Sequence, residues 1–211
     1  MKKFTLVIDG RTKHHFDEIA TFTGRYWQIR LQMFGKQDEI SEVLISGLKE
    51  IASKATHVNF TKCSLFKNVT ELLSCFPSAK HIRFYDCNTE ILENSGVLAN
   101  LKTLEVDCTA FRNFYCFENL QLTKLTLTLE RFADNIRWHS LIKFFVAQKR
   151  LSSLKLIINE RIFGYFEIPS SLKARVEELS IDICGDFITD DFLEFLNLFS
   201  DSVKSLKFHR G

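Results

Sequence analysis

The residues best able to do chemistry in this chain of 211 residues are its cysteines and histidines. Cys63, Cys75 and Cys87 follow one another at intervals of twelve residues, but the chain contains no Cys-x-x-Cys pair, so a zinc site is not expected. His14 and His15 are adjacent and would point to opposite faces of a strand, away from any shared ligand. We therefore interpret the cysteines as packing residues and this histidine pair as surface residues. The sequence predicts no metal site and no cofactor.

Patterns for nucleotide binding and for catalysis are also missing from the sequence. Neither G-x-G-x-x-G nor G-x-x-x-x-G-K-[ST] occurs, so no phosphate-binding loop is expected. The six histidines form no recognisable Cys/His or Ser/His/Asp arrangement along the chain, although such sites assemble in space. We predict a binding protein and not an enzyme.

Charge and composition restrict the class of partner and the location. The 28 basic and 26 acidic residues give a net charge of +2, which creates no global field for nucleic acid or for an anionic membrane. No apolar stretch approaches the roughly 20 residues of a membrane span, and the apolar run before Asp9 is too short for a secretory signal. We expect a cytoplasmic protein, with the nucleus as an additional candidate location, and reduced thiols.

A short pattern recurs along the chain and predicts its architecture. It consists of an apolar residue, two variable residues, an apolar residue, one variable residue, an apolar residue, two variable residues, and then Asn or Cys. The clearest copy is Leu151, Leu154, Leu156 and Asn159. The middle apolar residues of successive copies lie 21 to 29 residues apart, with an average of about 25, and they are Ile29, Val58, Ile82, Leu104, Leu125, Leu154, Leu179 and Leu206. A further strand is expected around Leu6 and Ile8.

Such a period predicts a solenoid. Apolar residues at alternate positions face one side of a strand, and units that cannot bury this side alone must stack on their neighbours. Helical patterns in residues 38–54, 68–76, 140–149 and 188–199 predict the return segments, with irregular turns in 108–120 and 161–171. Abundant Phe is expected to replace Leu in the core. We predict one α/β domain over residues 1–211, with about eight repeats, the parallel sheet on the concave face, and helices and irregular turns on the convex face.

The repeats resemble the cysteine-containing class of leucine-rich repeat. The resemblance rests on the run from Leu179 to Cys184 with Thr189 and Asp190 after it, and on Cys75 and Pro77 leading into a second copy. This class is typical of F-box/leucine-rich-repeat proteins, and the resemblance implies the substrate-recognition region of an SCF-type ubiquitin-ligase receptor. No F-box is seen, so an SCF adaptor would be a partner only through an F-box missing from this sequence. The alternative is a free-standing scaffold or a ribonuclease-inhibitor-like binding protein.

The variable strand residues between the apolar ones should form the binding surface on the concave face. Arg and Tyr are favoured anchors of protein interfaces. We therefore expect a protein partner that meets a basic and aromatic patch with acidic or polar groups, although these residues could equally be ordinary solvated strand positions. The candidate binding residues are Arg30, His57, His81, Arg83, Tyr85, Glu105, Asp107 and Lys155.

Overall fold

The computed structural model describes residues 4–9, 26–32, 42–62, 69–85, 87, 98–107, 120–129, 135–158, 171–184 and 190–210. Over these residues the chain alternates strands with helices or turns, as expected of an α/β repeat protein. The strands are β1 (Phe4–Asp9), β2 (Tyr26–Gln32), β3 (His57–Thr61), β4 (His81–Tyr85), β5 (Thr103–Asp107), β6 (Lys124–Leu129), β7 (Ser153–Ile158), β8 (Glu178–Ile183) and β9 (Ser205–Arg210).

All nine strands form one sheet in which each strand lies next to its neighbour in sequence. Every neighbouring pair is parallel, and the middle apolar residues of the repeat pair with one another from strand to strand. Val58, for example, lies opposite Ile82, which lies opposite Leu104. The predicted architecture, a leucine-rich-repeat-like α/β solenoid, is confirmed, and the further strand expected around Leu6 is β1.

Four helices lie among the described residues, each within or overlapping a predicted return segment. They are α1 (Glu42–Ile51), α2 (Val69–Ser74), α3 (Asn135–Ala147) and α4 (Asp190–Asn197). Helix α3 begins five residues before the predicted start at Ser140. The two returns predicted to be irregular lie almost entirely outside the described residues.

One hydrophobic core runs between the sheet and the helices. Strands β6, β7 and β8 alternate strictly between buried and more accessible residues, so the apolar side of each strand faces the core. Phe replaces Leu in this core as predicted. Phe60 and Phe84 occupy equivalent positions in β3 and β4, and their ring centroids stack 5.0 Å apart. At the other end of the core Phe145 of α3 packs edge-on against Phe199, with centroids 5.4 Å apart.

The turn into each strand is held by a backbone contact that repeats along the solenoid. A carbonyl oxygen in one repeat accepts two successive N–H groups of the next. Thr56 O accepts from Lys80 N at 2.9 Å and from His81 N at 3.0 Å. The same bond pair recurs at every later step, and the accepting residues are Lys80, Lys102, Thr123, Ser152 and Glu177. Because these bonds fix the spacing of the repeats, side chains at equivalent positions are placed in straight rows across the sheet.

The interpretation of the cysteines as packing residues is correct for two of the three that are described. Cys75 and Cys87 are both buried. Cys184 is exposed, because Ile183 takes the buried position at the end of β8, so the interpretation is wrong there. Cys63, Cys108 and Cys116 lie outside the described residues, as do His14 and His15.

Strand β9 differs from the others in that all six of its residues are exposed. Leu206 and Phe208 stand at positions that are buried in the preceding repeats, yet 57% and 43% of their surfaces are accessible. Leu206 pairs with Leu179 and Phe208 pairs with Ile181, so the repeat pattern extends into β9. Among the described residues, only the edge of β9 that faces β8 is paired with another strand.

Candidate protein-binding face

The strand residues that alternate with the core line a second side of the sheet, which we call the open face. From β3 to β9, most side chains on this face are partly or fully exposed. In a solenoid of this kind the sheet lines the concave side. Strand pairing arranges these residues in rows. One row contains His57, His81, Thr103 and Lys124, and the next contains Asn59, Arg83 and Glu105.

Arg83 is the centre of the best-defined group on the open face. Its Nε atom lies 3.1 Å from Oε1 of Glu105 on the neighbouring strand. Its guanidinium carbon lies 5.5 Å from the centroid of the Tyr85 ring, two residues along β4. The side chains of Arg83 and Glu105 are 48% and 39% exposed, so the ion pair is a surface one and adds at most about 1 kcal/mol to stability. The contacts orient Arg83 while leaving its donors accessible.

Tyr85 presents a large exposed aromatic surface on the open face. Half of it is exposed, although most aromatic residues of the described chain are buried in the core. Its backbone carbonyl is held by Lys62 N at 2.9 Å, and Lys62 has a positive φ of 55° where the chain leaves β3. The Cys87 thiol donates to the same carbonyl at 3.4 Å. Tyr85 is therefore an exposed ring on a firmly held backbone.

His57 and His81 form a stacked pair at the start of β3 and β4. Their ring centroids are 4.0 Å apart with an interplanar angle of 19°. Nδ1 of His57 lies 3.0 Å from Oγ1 of Thr56. Partial burial lowers the pKa of His81 below its usual value, and the positive charges of Lys124 and Lys80 lower it further. The pair is therefore set in a positive environment in which a neutral His81 is favoured.

Three further candidate residues are placed differently from this group. Lys155 on β7 is paired with Asp182 on β8 at 2.6 Å, three strands from Arg83 and away from the proposed patch. Asp107, expected to be accessible on the open face, is only 9% exposed, so little of its side chain reaches solvent. The side chain of Arg30 lies outside the described part of β2, although its backbone pairs with Asn59 next to Arg83. The open face thus brings together His57, His81, Arg83, Tyr85 and Glu105 and leaves Lys155 apart.

The sequence reasoning missed two lysines at the border of this face. Lys80 and Lys102 stand immediately before β4 and β5, outside the strand alternation that was used to select candidates. Both are exposed, and the carbonyl of Lys80 accepts a hydrogen bond from the backbone of Lys102 at 2.9 Å. A comparison of the positions just before each strand would have shown the repeated lysine.

The residues that the structure describes lack two further features. They contain no group of three or more His, Cys, Asp or Glu residues placed to hold a metal ion. None of their helices combines the length and apolar character that crossing a membrane requires. Comparisons with protein-family models and with curated proteins gave no match for this chain.

Proposed function

We propose that this chain is a protein-protein interaction module that holds its partner on the open face, around Arg83 and Tyr85. The observation that carries the proposal is the exposed contact between these two side chains on a sheet whose backbone is fixed on both sides. Tyr and Arg are enriched among residues that dominate binding energy in interfaces. A surface already ordered before binding loses little conformational entropy, so more of the contact energy appears as affinity.

Site-specific crosslinking tests this proposal with a control that the chain itself supplies. Tyr85 and Leu193 are each 50% exposed, but Leu193 lies on α4, behind the sheet. A photoreactive amino acid is placed at one position or the other, and crosslinked proteins are identified after illumination of living cells. We expect a defined protein crosslinked from position 85 and not from position 193. Equal yields from both positions, or no crosslinked protein from position 85, would refute the open face as the binding surface.

We further propose that the module recognises substrates for an SCF-type ubiquitin ligase. The support is the resemblance of the repeats to the cysteine-containing class, together with the burial of Cys87 at the last position of its repeat. Depletion of the chain should then lengthen the half-life of the protein crosslinked from position 85, and inhibition of the proteasome should remove the difference. An unchanged or shortened half-life would favour the free-standing scaffold, which holds its partner without delivering it for degradation.

We also propose that the chain works in the cytoplasm, where thiols stay reduced. Cys75 and Cys184 are free thiols, and burial raises the pKa of the Cys75 thiol to about 11, which suits a protonated and unreactive side chain. Alkylation of intact cells followed by peptide mass spectrometry should find Cys184 as a free thiol. A disulfide or glutathione adduct at that position in most molecules would contradict a reducing location.

A further inference from the structure

Lys80, Lys102 and Lys124 form a staggered group, which we call the lysine row, at the beginnings of β4, β5 and β6. The backbone carbonyl of Lys80 accepts from Lys102 N at 2.9 Å, and the carbonyl of Lys102 accepts from Lys124 N at 3.1 Å. Lys80 and Lys102 hold equivalent positions on neighbouring strands, about one strand spacing or roughly 4.8 Å apart, whereas Lys124 stands one residue further along, level with His81 and Thr103. All three side chains are exposed, and the row borders the open face at His81.

Among the described residues the lysine row has no neutralising carboxylate, in contrast to three lysines of the later repeats. Lys155 pairs with Asp182 at 2.6 Å, Lys173 with Asp201 at 3.5 Å, and Lys204 with Glu177 at 3.3 Å. Within the described ranges, no carboxylate lies at ion-pairing distance from the lysine row. Three like charges on neighbouring rungs repel one another weakly in water, and an anionic ligand would remove that repulsion.

The positive charge of the lysine row also reaches the histidine pair on the open face. The stacked histidine pair lies beside the row, and after burial the charges of Lys124 and Lys80 are the causes that lower the pKa of His81. The potential therefore extends from the row onto the open face. Further along the sheet, β8 carries Glu178 and Asp182, and Asp182 is paired with Lys155.

We propose that the protein bound by the open face presents an acidic, extended segment, which lies across the starts of β4, β5 and β6 and places its carboxylates over the lysine row. This inference deepens the proposed binding function and rests on it. Lysine suits this role because its ammonium group is a point charge on a flexible stem, so it can follow carboxylates whose spacing differs from that of the strands.

The charge pattern favours an acidic protein segment over a nucleic acid or a membrane. Glu105 stands beside Arg83 on the open face and already neutralises it, and the chain as a whole carries only +2. A uniformly charged phosphate polymer crossing the face would meet these carboxylates, whereas a protein segment can place neutral side chains against them. A membrane surface would need a broader basic patch than a single group of three lysines.

The test compares two triple variants in fluorescence anisotropy with a labelled decaglutamate peptide at low salt. The first variant, Lys80→Gln/Lys102→Gln/Lys124→Gln, removes the lysine row. The second, Lys149→Gln/Arg150→Gln/Lys207→Gln, removes three exposed positive charges from other repeats, so both proteins carry the same net charge. Circular dichroism checks that both variants fold like the wild type.

Exposed ion pairs each change an equilibrium constant by roughly two- to fivefold, so loss of the row should weaken decaglutamate binding by about 10- to 100-fold. The control variant should lose less than about threefold, because only long-range attraction is reduced. Equal losses in both variants, or no binding by the wild type, would overturn the proposal. Tighter row-dependent binding of a single-stranded oligonucleotide, or of phosphatidylserine vesicles, would overturn it in favour of that other class of ligand.

Crosslinking from position 85 separates failure of this inference from failure of the binding function itself. A protein crosslinked there whose yield is unchanged by the row variant would leave the binding function in place and refute the acidic segment. A yield that falls with the row variant and not with the control variant supports both. If no protein is crosslinked from position 85, the binding function is refuted, whether or not the chain binds decaglutamate.

Discussion

Substitution by Ala at equivalent positions of different repeats should lower the free energy of unfolding by very different amounts. Phe84 in β4 and Phe208 in β9 stand at the same place in the repeat, but Phe84 is 1% exposed and Phe208 is 43% exposed. Phe84→Ala removes a ring stacked on Phe60, and truncation of a fully buried Phe costs about 3–5 kcal/mol. Phe208→Ala removes a ring that is only a little more than half buried, which corresponds to about 1–1.5 kcal/mol of transfer free energy.

Urea denaturation followed by circular dichroism measures both changes in the free energy of unfolding. The wild type and the variants should have similar slopes against urea, so the comparison depends on the shift in midpoint. We expect Phe84→Ala to cost at least about twice as much as Phe208→Ala. Equal costs would mean that β9 is covered as fully as β4, and a larger cost at Phe208 would contradict the register assigned to the repeats.

Three further predictions concern single residues in and around the repeats. His81 has a pKa below its usual 6.5 in the folded protein, so the folded state binds a proton there less readily than the unfolded state. The free energy of unfolding should therefore fall as pH drops below about 6.5. In urea titrations at several pH values, His81→Asn should reduce that fall. Gln148 is buried and its Oε1 accepts from Leu122 N at 3.1 Å; Gln148→Leu should destabilise the fold by about 1–3 kcal/mol in the same assay, because that amide is left unsatisfied. An effect below about 0.5 kcal/mol would show that the amide finds another partner. Cys75, with a pKa of about 11, should react with iodoacetamide at pH 8 far more slowly than the exposed Cys184, as measured by peptide mass spectrometry; equal rates would refute its burial.

The repeat was predictable because its cause is local. The alternation of apolar residues in β7 is set by Leu154, Leu156 and Ile158, and the structure buries all three. The spacing of such copies then determines which strands are neighbours, so the order of the whole sheet followed from the sequence. Helix boundaries were less predictable: α3 starts at Asn135, before the periodic apolar residues that marked the predicted segment.

The binding face was only partly predictable because its properties depend on contacts between repeats. Alternation correctly placed Arg83 and Tyr85 on accessible positions. It did not reveal that Asp107 is covered or that Lys155 is neutralised by Asp182, since both facts depend on side chains distant in sequence. Lys80 was missed because it belongs to a turn, where the alternation rule does not apply.

The central claim is that the open face around Arg83 and Tyr85 carries the binding function. The most direct measurement is quantitative co-precipitation of the tagged chain from cells, comparing Arg83→Ala/Tyr85→Ala with Leu193→Ala and the wild type. A single anchor residue contributes about 2 kcal/mol or more, and anchor contributions are not additive, so the double variant should weaken binding of a defined partner by at least about 30-fold while Leu193→Ala retains it. Retention of every partner by a folded double variant would contradict the claim.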